Sequence, residues 1–192
     1  MRVCFPGTAA AVRQLPRQCG RSCLRKAFSS SSHGAAVDGT RTDGFWASAP
    51  HEDGLLRVGD QAGTARRFGE SEVAAFAALS LDANPLHLSA AAAAAGPFGR
   101  PVVHGMLTAS LFSAVLGMRL PGRGTVYLQQ QLRFVRPVFV GEEVHARIEL
   151  LELQPKRART LARFRTLAWT ESDAHPCVDG EALVLLPARA AS

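Results

Sequence analysis

The stretch Leu81-Asp82-Ala83-Asn84-Pro85-Leu86-His87 sets a carboxylate and an imidazole five residues apart. On a continuous helix the two would point about 140° apart. Pro85 disfavours helix at the residue before it, so Asp82 to His87 is predicted as a turn, where the two groups can meet. A converging carboxylate and imidazole make a general acid/base pair. Histidine suits the task because its ordinary pKa, about 6.5, lies near neutrality. A plainer explanation has Asp82 capping the turn and His87 satisfied in the core. The pair alone does not decide between the two.

A second stretch, Phe98-Gly99-Arg100-Pro101-Val102-Val103-His104-Gly105-Met106-Leu107, leads into an apolar segment. If Gly105 opens a helix, free backbone N–H groups and the positive end of the helix dipole gather there. Glycine has no side chain to obstruct a ligand oxygen, so the position suits a carbonyl that gains negative charge. Alternatively, Gly105 only eases close packing.

These residues need elements to hold them. Gly63 to Phe68 reads as a first strand. Ser71 is a candidate cap for a helix to about Leu81, whose Val73, Ala74, Phe76, Ala77 and Leu79 give an apolar face. Ser89 can cap a short helix through the alanine run Ala90 to Ala95, which Gly96 and Pro97 end. Gly105 to Arg119 is apolar around the whole wheel, as in a buried helix. Alternating segments follow at Val126–Phe134, Val144–Leu150, Leu161–Trp169 and Ala182–Leu186. Pro137 with Gly141, Gln154-Pro155-Lys156 and Ser172 to Pro176 separate them. Turn signals this short imply antiparallel neighbours. An antiparallel sheet wrapped around one long helix, in the α+β class, accounts for the pattern.

The composition, 47% apolar and 20% charged, fits a globular protein. The net charge of +6 is unevenly spread. Residues 1–37 hold Arg2, Arg13, Arg17, Arg21, Arg25 and Lys26 with no acid, whereas the remainder holds 16 basic and 16 acidic residues. The excess therefore describes the leader, and a nucleic-acid-binding body is disfavoured. Recurring arginines, the absence of acids and the run Ser29–Ser32 predict a mitochondrial transit peptide over residues 1–33, addressed to the matrix. Residues 34–54 read as a flexible linker, in which Phe45 and Trp46 could dock locally. The domain is expected over 55–190. Cys4, Cys19 and Cys23 would leave with the leader. Cys177 reads as a small buried hydrophobe in a His175-Pro176-Cys177 turn. The most apolar helical stretch, 14 residues with three hydroxyls, is too short to span a bilayer of about 20 residues, so no membrane insertion is expected.

Asp82-x-Asn84-Pro85-x-His87, followed by Phe98-Gly99-x-Pro101-Val102-Val103-His104-Gly105-Met106-Leu107, resembles the signature of MaoC-like (R)-specific hydratases. The similarity runs from about Arg57 to Pro187 and includes Tyr127 through Val144, with Phe139-Val140-Gly141-Glu142-Glu143-Val144. The resemblance implies a single hot-dog domain, a homodimer and an acyl chain held in a tunnel near the dimer interface. It implies that Asp82 and His87 are the catalytic pair and that Gly105 gives a backbone N–H to the thioester oxygen. Ser113 matches a site-lining serine, while Asn84 and His104 fall in supporting positions of the motif. The implied reaction is loss of water from a (3R)-hydroxyacyl thioester, carried by acyl carrier protein or coenzyme A, without cofactor or metal. The implied reverse reaction is hydration of an enoyl-CoA. A thioesterase or a non-catalytic acyl-binding protein on the same fold ranks lower, because both members of the acid/base pair are present.

Lys156 to Arg165 carries five basic residues and no acid, with Arg157, Arg159, Arg163 and Arg165 on one strand face. This is either a solvated face with cross-strand pairs to Glu149 or Glu152, or a dock for an acidic carrier protein.

Overall fold

A computed structural model describes residues 44–48, 55–156 and 159–186. Six strands form one antiparallel sheet: β1 (Phe45–Ala47), β2 (Gln61–Arg67), β3 (Val126–Phe134), β4 (Glu143–Lys156), β5 (Arg159–Thr170) and β6 (Asp173–Leu185). Their order across the sheet is β1-β2-β4-β5-β6-β3. Between β2 and β3 lie α1 (Glu70–Ser80), α2 (Pro85–Leu88), α3 (Ala90–Ala95) and α4 (Gly105–Met118).

Period-two burial explains why the sheet closes on α4. On β4, Val144, Ala146, Ile148 and Leu150 are buried and alternate with more exposed neighbours. Ala162, Phe164 and Ala168 of β5 and Val178, Ala182 and Val184 of β6 join them. Phe112, Val115 and Leu116 of α4 belong to the same core. Full burial of one such large side chain stabilises the fold by about 1.5–3 kcal/mol. The result is the hot-dog arrangement. Among the described residues no helix is long and apolar enough to cross a membrane.

Several local expectations need correction. Helix α1 is capped by Gly69, not Ser71: the Glu72 carboxylate accepts the Gly69 N–H at 3.0 Å. The Ser71 hydroxyl, followed by backbone N–H groups of Glu72 and Gly69, holds the Glu72 carboxyl below its ordinary value. Helix α4 is not buried all round. Met106, at 59% exposure, lies with Ser110 and Ser113 on a face that the sheet does not cover. Phe45–Ala47, within the expected linker, is a strand on β2, and the Trp46 ring occupies the space a Cβ on Gly63 would need.

Gln154-Pro155-Lys156 and Asp173–Pro176 are strand rather than turn. In both cases the proline lies beyond the reach of a neighbouring strand. β2 pairs with β4 only as far as Glu149, and β3 pairs with β6 only from Val178. The missing N–H therefore breaks no ladder there. Cys177 is accordingly on a strand, but it is buried as expected. Its thiol donates to the Ala168 carbonyl, and burial pushes its pKa up.

Gly180 sits where β6 lies between β5 and β3, opposite Thr166 and Leu132. A Cβ there would run into the Gln131 carbonyl oxygen of β3. Gly180→Ala is expected to separate β3 from β6 at a cost of about 1–3 kcal/mol, read as a fall in Tm by thermal unfolding.

Candidate active site

The turn after α1 is built from local hydrogen bonds. Leu81 adopts a left-handed conformation (φ 64°) that ends α1. Asp82 follows, and its Oδ1 accepts the Asn84 N–H at 3.3 Å. Asn84 in turn caps α2, its Oδ1 accepting the Leu86 N–H at 3.2 Å, and Pro85 takes the first helical position. Proline suits that position because its N–H would be unpaired anyway. The predicted turn is thus three irregular residues followed by one turn of helix. Asn84 holds the segment in order, as the motif implies.

This arrangement brings His87 Nε2 to 3.8 Å from Asp82 Oδ2. The His87 side chain is 11% exposed and that of Asp82 53%. His87 Nδ1 lies 2.7 Å from the Val102 carbonyl oxygen. A carbonyl only accepts, so Nδ1 carries a proton, and in the neutral ring Nε2 presents its lone pair towards Asp82. At 3.8 Å the two acceptors are too far apart to bond directly, but they can share a hydroxyl or a water between them.

His104, the residue before α4, is only 2% exposed. Its ring stacks on His87 with centroids 3.8 Å apart and planes at 25°. Its Nε2–H donates to the Asp82 backbone carbonyl at 2.9 Å. The ring of Phe76 packs beside it at 5.0 Å. Nothing in the residue spacing signals that His104 and His87 touch.

Gly105 opens α4, so its N–H lies among those with no partner inside the helix. The Phe134 ring approaches so closely that a Cβ on Gly105 would lie 2.7 Å from its Cε1. Close packing is thus one reason for glycine here, and it does not conflict with a role for the N–H. Asp82, His87, His104 and Gly105 all line one cavity of about 580 Å³. Its walls are largely apolar, with Phe76, Leu86, Phe98, Val103, Phe134 and Val138. Arg136 also reaches it, but its guanidinium is engaged by Asp173 and by the His175 and Pro176 carbonyls. Ser113 is not brought in: it lies further along α4, exposed and outside the cavity lining.

Asp82, His87 and His104 each offer a ligand atom within 4.8 Å of the others. The donor set fits a metal poorly. One nitrogen of each imidazole donates to a carbonyl, and stacked rings direct their in-plane lone pairs alongside each other rather than at a common point.

Residues 51–170 match the model of the MaoC-like domain. The chain is 53% identical over 132 residues to an (R)-specific enoyl-CoA hydratase of Aeromonas caviae, covering 69% of this chain and 96% of that protein. It is 33% identical to a mitochondrial 3-hydroxyacyl-[acyl-carrier-protein] dehydratase of Arabidopsis thaliana, covering 69% and 79%. The solved structure of an (R)-hydratase from A. caviae involved in PHA biosynthesis superposes with a TM-score of 0.65 at 52% identity, over 69% of this chain and 98% of that one. With this site on this fold, and with the match over residues 51–170, the chain belongs to the MaoC-like domain family.

Proposed function

We propose that this hydratase/dehydratase of the MaoC type interconverts (3R)-hydroxyacyl and trans-2-enoyl thioesters. The observation that carries the reading is the pair of acceptors, His87 Nε2 and Asp82 Oδ2, facing each other across 3.8 Å at the wall of an apolar cavity. In hydration, a water between them donates one hydrogen to each and turns its lone pair to C3 of the enoyl thioester. Attack forms the C3–O bond. One water proton passes to one of the pair, the C2–C3 π electrons move towards C2 and the thioester carbonyl, and the protonated group then delivers that proton to C2. In dehydration one of the pair takes the C2 proton, charge gathers on the thioester oxygen, the C3–O bond breaks as the C2–C3 double bond forms, and that proton is handed to the departing hydroxyl, which leaves as water. The Gly105 N–H and the N-terminus of α4 offset the oxygen's charge.

In vivo the reading is dehydration on acyl carrier protein in matrix fatty acid synthesis. The mitochondrial plant relative and the acid-free leader, taken as a transit peptide over 1–33, support it. The (R)-specific enoyl-CoA hydratase relative supports the same chemistry on coenzyme A. A homodimer is part of the proposal, since β3 is an edge strand with Val126, Leu128 and Phe134 exposed.

The basic stretch on β5 has a mixed standing. Arg163 pairs with Glu152 at 3.2 Å, the cross-strand arrangement. Arg159 and Arg165 have no ion pair among the described residues, and Arg157 lies outside those residues. If the stretch receives a carrier protein, charge reversal at Arg157 and Arg159 raises KM for carrier-linked substrate and leaves KM for the coenzyme A thioester alone. Equal effects on both substrates would exclude the dock.

The test of function is the loss of enoyl absorbance from crotonyl-CoA, with the chirality of the product. Formation of (3R)-hydroxybutyryl-CoA is expected. A folded protein that turns over neither this substrate nor longer enoyl-CoAs would be an acyl-binding or carrier-restricted protein instead.

A further inference from the structure

We infer that His104 is a positioning residue that locks the acid/base pair to the thioester-oxygen site. The inference rests on the hydration reading above. His104 touches both members of the pair by different means. Its ring face lies against the His87 ring, and its Nε2–H holds the backbone of Asp82. It is also bonded through the chain to Gly105, which opens α4 and lines the cavity. One buried residue thus ties the Asp82–His87 turn to the start of α4.

The His104 ring is not explained by the needs of the fold. It sits at the N-cap of α4 but makes no capping hydrogen bond to it. Its Nδ1 is buried with no partner among the described residues, a condition that disfavours histidine on stability grounds alone. An apolar ring would fill the space against Phe76 without that cost. What an apolar ring lacks is the donor to the Asp82 carbonyl.

His87 is restrained at one edge by the Val102 carbonyl and on one face by His104. With the face removed, the imidazole can tilt about its remaining hydrogen bond, and Nε2 leaves its line to Asp82 Oδ2. With the Nε2 donor removed, the Asp82 backbone is released. Either movement spoils the geometry that the shared water needs. A displacement of about 1 Å at reacting groups can cost about 10²-fold in rate.

The test uses the full chain and three variants. His104→Ala removes both contacts, His104→Phe keeps the flat ring, and His104→Gln keeps a side-chain donor. On crotonyl-CoA, His104→Ala is expected to lower kcat about 10²-fold with KM within about twofold of the parent. The Phe and Gln variants should each recover part of the loss. Nitrogen NMR of the histidines should show His87 as the Nδ1–H tautomer in the parent and as a mixture in His104→Ala. Parental kcat in His104→Ala, or a loss confined to KM, would overturn the inference. An equal loss in all three variants would also overturn it, assigning the effect to packing rather than to the two contacts. Should His104→Ala not fold, the Phe and Gln variants decide by kcat and by the His87 tautomer. A parent protein without turnover would refute the hydration reading, and the tautomer measurement would still decide the role of His104.

Discussion

His87→Ala is expected to lower kcat for crotonyl-CoA hydration by about 10²–10⁴-fold, the usual worth of a positioned acid/base group. Asp82→Asn should act in the same direction, because its amide offers an N–H donor where the shared water needs an acceptor. Neither change should raise KM much. The acyl chain is held by the apolar walls, and those walls stay in place. A fall in kcat with KM unchanged marks a group that works in the transition state. A rise in KM at parental kcat would reduce the pair to substrate contacts. Circular dichroism is the control for folding, since His87→Ala also leaves the Val102 carbonyl without its donor.

Gly105→Ala is expected to cost about 10²–10³-fold in kcat, the loss typical of one oxyanion donor. The new methyl group would press on the Phe134 ring. That ring belongs to the end of edge strand β3 and is half exposed, so it can yield. The first turn of α4 would also shift and carry the N–H away from the thioester oxygen. Gly105→Ala combined with Phe134→Ala separates two causes. Recovery of rate means that the ring had displaced the N–H. Continued loss means that the methyl group blocks the oxygen itself. Full activity in the single variant would place the thioester oxygen elsewhere.

The sequence was most informative where one residue type dictates local geometry. Pro85 and Asn84 turn the chain, and with that turn Asp82 and His87 converge. Gly105 stands at the start of α4, as its place in the motif suggests. The strands with strict alternation were legible too, because period-two burial on a sheet is a strong signal. Prolines misled where they sit in a strand whose neighbour has already ended, as at Pro155 and Pro176. A proline marks a missing donor, and only the sheet's extent tells whether the donor was needed. The stacking of His104 on His87 had no local signature. Nor did the left-handed Leu81, since no glycine stands there to announce it. Ser113 was assigned by motif alone, and the cavity of this chain does not include it.

The hydrogen bond from His104 to the Asp82 carbonyl joins residues 22 positions apart. The chain between them reaches the sheet side of the molecule through a few backbone bonds, from Val103 to Val138 and from Val140 to Pro101. The catalytic segment is therefore fastened near its C-terminal end rather than woven into the ladder of β4, β5 and β6. Such a segment can open while the strands stay closed. Amide exchange should run faster along it than in β5, and mild urea should silence the enzyme before the sheet melts. Durability of the fold and durability of catalysis are two different quantities in this protein, set by different bonds.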